Sequence, residues 1–282
     1  MEGLSYRNIT LNIFYSDIKY NQNRSSLIKL YKSIKIDHCS PSLYNKTMRY
    51  ILYFILIPAL LPVFLILRYV YVLDKNEREP LGFVLKVVVW GAVFAIPCAS
   101  VERFMFTLIS SGYDTATIEF AWMENTIGVA LVEEFSKWLV LMMLVWKNKN
   151  FDYRYDGIVY AVSASLGFAA LENILYVVSY GTGVSLGRAL FAIPGHATFG
   201  VFMGYWLSRA KTFWLDNKRL RMKICKLFAL GIPMLIHGFY DFLLSEQVSA
   251  AGLQEVFFIY VILLDLFAWR VIKHEFRTDR ML

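Results

Sequence analysis

From Tyr50 onward the chain alternates long apolar runs with short polar joints. The runs lie at about 50–72, 82–109, 122–146, 156–180, 187–208, 223–244 and 253–272. Each is close to the ~20 residues that the hydrocarbon core of a bilayer asks of a helix. They predict an all-α polytopic transmembrane helical bundle of about seven spans. The joint Asp74-Lys75-Asn76-Glu77-Arg78-Glu79-Pro80 separates the first two runs, and Pro80 ahead of Leu81-Gly82 marks a helix start. Residues 1–49 break the pattern, being polar and basic. Within them Leu27, Ile28, Leu30, Tyr31, Ile34 and Ile36 suit a short interfacial amphipathic helix; a poorly ordered tail suits the composition equally. The expected organisation is a polar basic N-terminal extension (1–49), a transmembrane domain (50–275) and a short C-terminal tail (276–282).

Composition strengthens the membrane assignment. Hydrophobic residues make up 57% of the 282, and the mean hydropathy is +0.48. Both are far above a soluble domain. Lys and Arg exceed Asp and Glu by 29 to 22, but the excess sits between the runs, where it reads as topology and lipid contact rather than nucleic-acid binding. Cys39, Cys98 and Cys225 are scattered and form no disulfide framework or CxxC pair. The first apolar run begins only near Tyr50, so no cleavable signal peptide is expected.

Loop charge sets orientation. Arg209, Lys211, Lys218, Arg219, Arg221, Lys223 and Lys226 crowd one joint, Lys147, Lys149 and Arg154 another, and Lys273, Arg277 and Arg280 the C-terminal end. Residues 110–121 and 245–254 carry no Lys or Arg. The positive-inside rule puts the basic joints and the C-terminus in the cytoplasm of a multi-pass protein of the cell membrane. Seven spans then place the N-terminus outside, against its own Arg7, Lys19, Arg24, Lys29, Lys32, Lys35, Lys46 and Arg49. The later joints agree with one another and carry the assignment.

Candidate chemistry lies inside the spans. Span three holds Glu133-Glu134-Phe135-Ser136-Lys137, and a charged side chain at mid-bilayer costs about 2.5–3.5 kcal/mol on insertion scales. On a helix both carboxylates flank Lys137, at i,i+4 and i,i+3. Taken alone, this suits a buried ion pair. Span four adds Glu172-Asn173, span five His196 followed by Gly200 and Gly204, and span six His237 with Asp241 one turn on. Singly, each has an ordinary structural reading: an interhelical hydrogen bond, a GxxxG packing face, a histidine held by its neighbour. Asp265 in span seven is expected to face the bundle or cap a local contact. At about 1.5 Å per residue, however, Glu133/Glu134, Glu172, His196 and His237 fall within about 6 Å of one height, in the outer half of the bilayer. Independent structural pairs would not align so.

Two carboxylates, two histidines and a further Glu supply what water activation requires. A desolvated carboxylate beside a like charge serves as general base, and one of Glu133 and Glu134 would hold the water while the other pairs with Lys137. A histidine or the Asn173 amide would meet a developing oxyanion. The same residue types could ligate zinc through His196, His237 and a carboxylate, in a hydrolase of lipid amides or peptides, but no HExxH occurs. They could also relay protons in a transporter, although no inverted repeat is visible.

The ordered set Glu133-Glu134-x-x-Lys137, Phe168-x-x-x-Glu172-Asn173, His196-x-x-x-Gly200 and His237-x-x-x-Asp241 resembles the PrsW family of glutamic-type intramembrane proteases. That family is distantly similar to the CAAX prenyl protease type II (CPBP) group. The Glu77–Pro80 loop and the run Tyr155-Asp156-Gly157-Ile158-Val159-Tyr160 fit it as well. The resemblance implies a multi-pass protease, and the residues themselves are read as working through a glutamate-bound water without cofactor or metal. The resemblance also implies a first cut, on the extracytoplasmic side, in a single-pass membrane substrate of the anti-sigma-factor type during an envelope-stress response. Glu133, Glu134, Glu172, His196 and His237 would be catalytic, with Lys137, Asn173 and Asp241 supporting. Residues 1 to about 48 stand as an addition to the family pattern.

Overall fold

The computed structural model of the chain describes residues 57–74, 77–180 and 185–282. The expected N-terminal extension, with its interfacial helix, and the start of the first run lie outside the described residues. Each predicted run is a helical rod. The first two are α1 (Ile57–Leu73) and α2 (Leu81–Ser110). The third is continuous but changes pitch: α3 (Ile118–Met123), a π-helical turn Glu124–Ala130, α4 (Leu131–Val140) and a second π turn Leu141–Val145. The fourth is α5 (Asp156–Tyr180). The fifth joins α6 (Ser185–Gly187) through a π turn, Arg188–Ala192, to α7 (Ile193–Leu215). α8 (Arg219–Leu243), a short α9 (Glu246–Ala250) and α10 (Gln254–Arg277) complete the chain. Among the described residues α2, α5 and α8 are long and apolar enough to cross a membrane on length and composition. An isolated bridge between Tyr153 and Met281 is the only β pairing there.

Local sequence explains the ends. The Pro80 carbonyl accepts from the amides of Phe83 and Val84 at 2.8 and 3.1 Å, which starts α2 where the proline suggested. Thr117 caps α3 through a bond from the Phe120 amide to its hydroxyl, 3.2 Å long. Ser245 does the same for α9. Pro62, Pro97 and Pro233 sit inside helices, as transmembrane helices tolerate when neighbours re-satisfy the freed backbone groups.

α5 is the axis of the bundle. Residues 155–169 are all buried, with α2 and α1 packed on one side and α7 on the other. Lipid tails are as apolar as leucine, so helices in a bilayer gain by close packing rather than by leaving water. Small residues make that approach possible. A Cβ on Gly167 would stand 2.0 Å from the Val88 carbonyl oxygen of α2. On the side toward α7, a Cβ on Gly204 would stand 2.3 Å from the Gly157 carbonyl oxygen. The GxxxG face at Gly200 and Gly204 is thus a packing surface, as its spacing suggested. Large apolar side chains point outward instead, among them Phe64 on α1, Ile96 and Phe104 on α2, and Ile259, Ile262 and Leu263 on α10. That is the distribution expected of a lipid-facing surface.

Polar contacts close the end of the bundle where the basic joints lie. Arg209 of α7 forks onto Glu275 of α10 at 2.8 and 3.2 Å, the bidentate geometry that suits guanidinium and carboxylate. The C-terminal residues turn back: the Leu282 amide donates to the Asp152 carbonyl at 2.6 Å, and the Arg154 amide to that of Arg280 at 3.2 Å. In the α1–α2 loop, Asp74 and Glu79 turn inward, and burial pushes both carboxyls up to about 7.

Two outcomes follow. Gly167→Ala forces α2 away from α5 and is expected to cost about 1–3 kcal/mol, read as a lower melting temperature in detergent. A variant melting like the parent would show that the contact is not tight. A carboxyl raised on folding lends stability below its unfolded value near 4 and loses it as pH rises through about 7. In metal-free buffer the protein should therefore melt lower at pH 8 than at pH 5, and Asp74→Asn should flatten that slope. An unchanged slope would remove Asp74 as its source.

Candidate active site

Glu133, Glu134 and Lys137 occupy successive positions on one turn of α4, and all three are buried. The Lys137 ammonium lies 2.6 Å from Glu134 Oε1 and 3.3 Å from Glu133 Oε2. Its third partner comes from another helix: His196 Nδ1 of α7, at 2.9 Å. The Phe168 ring of α5 underlies it, 4.6 Å from Nζ to the ring centroid. A lysine with no exposed surface is thereby surrounded on every side by groups that favour its charge.

Because an ammonium only donates, His196 Nδ1 accepts, which leaves the imidazole proton on Nε2. Nε2 faces Glu172 Oε2 of α5 at 2.9 Å. The tautomer is therefore fixed by its two neighbours. His237 of α8 presents Nδ1 to Glu134 Oε1 at 3.0 Å and Nε2 to Asp241 Oδ2 at 3.2 Å. Both nitrogens meet carboxylate oxygens, and an imidazolium satisfies both. The ring stacks on Phe199, with centroids 4.5 Å apart and planes at 20°. Gly238, next in sequence, lets α8 approach the π turn of span three: a Cβ there would lie 2.8 Å from the Thr126 Cα. That approach carries His237 to Glu134.

Helix pitch also aims these groups. The π turn Glu124–Ala130 ends just before Glu133, and the π turn Arg188–Ala192 ends just before His196. Such turns insert one residue into an α-helix and occur often at functional sites. In the first, the Asn125 side chain reaches back to the Ala121 carbonyl, within the stretch where the usual ladder is interrupted.

The structure brings the expected residues into one network. Glu133, Glu134, Lys137, His196, Glu172, His237 and Asp241 are linked directly, and Asn173 joins through Arg188, whose Nε donates to Asn173 Oδ1 at 2.9 Å. Asp265 stands apart, accepting from Thr198 at 2.8 Å, a local bundle contact. Sequence reasoning missed Arg188. It pairs with Glu172 at 3.0 Å and lies over the Tyr176 ring, 3.7 Å from its centroid. It sits at the edge of span five, where an arginine reads as an interfacial anchor; the signal available was the intramembrane Glu172, which calls for a cation. Phe199, one turn after His196, was missed as well, because an aromatic in an apolar span carries no mark of its neighbour.

Charge within the cluster is close to balance. Glu133, Glu134, Glu172 and Asp241 face Lys137, Arg188 and the doubly paired His237. Glu134 is wholly buried, whereas the side chains of Glu172 and Asp241 keep 21% and 15% of their surface, so the cluster opens on their side. Donor atoms of Glu133, Glu134 and His196 lie within 4.8 Å of one another, a spacing able to hold a cation. Lys137 Nζ already stands among those three groups.

A family model described as PrsW family intramembrane metalloprotease matches residues 79–269. The Protease PrsW of Oceanobacillus iheyensis is 37% identical over 191 residues, which cover 68% of this chain and 83% of that protein. The Protease PrsW of Bacillus subtilis is 35% identical over 184 residues, 65% of this chain and 79% of that one. The Protease PrsW of Clostridioides difficile is 31% identical over 218 residues, 76% and 86% respectively. No solved structure matches the chain. With a buried acid–base network at the meeting of four apolar rods and these relatives along most of its length, the chain belongs to the PrsW family of intramembrane proteases.

Proposed function

We propose that Glu133 is the general base of a peptide-bond hydrolysis carried out on the extracytoplasmic side of a single-pass membrane protein. The observation that carries this reading is the asymmetry around Lys137. Glu134 makes the short contact, 2.6 Å, and also receives His237, whereas Glu133 makes only the longer one, 3.3 Å. Glu134 takes both contacts on Oε1, and its Oε2 is sealed from solvent without a hydrogen-bond partner among the described residues. Glu133 keeps 7% of its side-chain surface against none for Glu134 and is the carboxylate that a water molecule can reach. Glu133 takes a proton from water as the water oxygen bonds to the scissile carbonyl carbon. When the tetrahedral intermediate collapses, the C–N bond breaks and the proton passes to the leaving nitrogen.

Arg188 supplies the partner for the oxyanion. Its Nη2 pairs with Glu172 Oε2 at 3.0 Å, which takes at most one of the two N–H bonds on that nitrogen. A buried, unspent N–H beside the cluster is what a developing negative charge requires. Asn173, oriented by Arg188, assists. His196 and Glu172 hold Lys137 in place, and Asp241 orients His237.

The family description names a metal, and the donor types would suit one. The geometry does not: a metal bound within about 2 Å of the Glu133, Glu134 and His196 donors would lie against the Lys137 ammonium, which contacts the same three groups. No step therefore runs through a metal. The basic joints support a cytoplasmic C-terminus by the positive-inside rule, with the cluster toward the opposite face. The outward depth favours a substrate cut outside the cytoplasm, such as an anti-sigma factor. Its cleavage would begin the release of a transcription factor.

With a reporter substrate and purified protein, Glu133→Gln should lower kcat by about 10²–10⁴-fold at nearly unchanged melting temperature, and activity should survive a zinc-selective chelator. Loss to that chelator with rescue by zinc would overturn the scheme. Lys137→Met leaves Glu133 and Glu134 facing each other without a counter-charge. It should destabilise the fold by about 3–5 kcal/mol, measured by thermal unfolding in detergent, and a stable variant would deny Lys137 its central place.

A further inference from the structure

A second cluster of buried carboxylates lies at the opposite end of α5. Asp74 closes α1, Glu79 precedes α2 and Asp156 opens α5. One oxygen from each lies within 4.8 Å of the other two, and the residues are 1%, 4% and 0% exposed. Asp156 is sixteen residues before Glu172, about 24 Å along the helix, so this is not part of the catalytic network.

Some of its oxygens are accounted for. Asp156 Oδ2 accepts from the amides of Asp152 and Tyr153 at 2.9 and 2.6 Å, and Glu79 receives the Tyr160 hydroxyl. Others are not. The Glu79 amide adjoins the Asp74 carboxyl and the Glu79 side chain that of Asp156, but among the described residues no well-aligned hydrogen bond closes on either oxygen of Asp74 or on Oδ1 of Asp156, and all three are sealed from solvent. Buried polar atoms are nearly always paired, and three oxygens left so in one acidic cluster ask for a cation. Lys211 of α7 donates a hydrogen bond to the Trp146 carbonyl at 2.9 Å and packs on the Phe151 ring.

We propose that Asp74, Glu79 and Asp156 form a binding site for a hard divalent cation, magnesium or calcium, that clasps the α1–α2 loop to the start of α5. The donor set is all oxygen, with no histidine or cysteine, which selects those ions over zinc or copper. A divalent ion would bring three carboxylates from a net charge of −3 to −1. The clasp extends further: the Tyr155 hydroxyl reaches the Val70 carbonyl at 3.2 Å and the Tyr155 amide reaches Asp279 at 3.0 Å. The ion would therefore bind together the ends of α1 and α5 and the C-terminal residues.

The test uses the full-length protein in detergent, stripped of metal at pH 8, with magnesium or calcium chloride added singly. Either ion should raise the melting temperature saturably, by about 5 °C at a hundredfold excess over its dissociation constant. Terbium, a calcium-sized probe, should luminesce when sensitised by Tyr155 and Tyr160, and the competing ion should quench that signal. Asp156→Asn and Asp74→Asn should abolish both effects, whereas Glu133→Gln should keep both. If Asp156→Asn does not fold, Glu79→Gln serves the same comparison. No melting shift in the parent protein, an equal shift in the carboxamide variants, or loss of the signal in Glu133→Gln would overturn the proposal. The last outcome would place the ion at the catalytic cluster instead.

Discussion

The structure turns on a single ammonium group. Lys137 has no exposed surface, and removing a positive charge from water is recovered only when opposite charges and hydrogen bonds close around it. Its three partners come from two helices, and two of them are gripped in turn: Glu134 by His237, and His196 by Glu172, which Arg188 holds. Displacing any of these leaves a charge stranded in a medium that does not screen it. The network thus fixes the relative positions of α4, α5, α7 and α8 as firmly as the apolar contacts do. It also sets two adjacent glutamates apart, at 2.6 and 3.3 Å from the ammonium.

Such convergence needs backbones that come nearer than ordinary side chains allow. The bundle achieves it with Gly167 against α2, Gly204 against Gly157, and Gly238 against the π turn of span three. Packing and chemistry are joined at these points. Where glycine admits a neighbouring helix, an ionisable residue lies on the same helix or close by in space, so the small residues define how far apart the acid–base groups sit.

Much of this was readable in the chain. The spans follow from run length and hydropathy, which a bilayer enforces more strictly than water does, and observed ends fall near the expected ones. The contact among the intramembrane polar residues followed from depth: charges are costly enough in the apolar core that several at one height imply contact. Besides Phe199, three things stayed hidden. Arg188 lies where an arginine has an ordinary interfacial use. The π turns leave no periodic mark, because Glu124–Ala130 and Arg188–Ala192 read as helix in any hydropathy pattern. Asp74, Glu79 and Asp156 belong to two polar joints that look solvated, and only the fold shows that these joints turn inward together.

The change of pitch in span three has a consequence for rotation. An α-helix turns about 100° per residue, and a π turn is an α-helix holding one residue more than it needs. Everything after Glu124–Ala130 is consequently set about 100° away from where an uninterrupted helix would aim it. Without that extra residue Glu133 and Glu134 would face a different neighbour while remaining at nearly the same depth. The azimuth of the site is therefore written in the number of residues between Met123 and Leu131, and the chemistry of those residues is a separate matter.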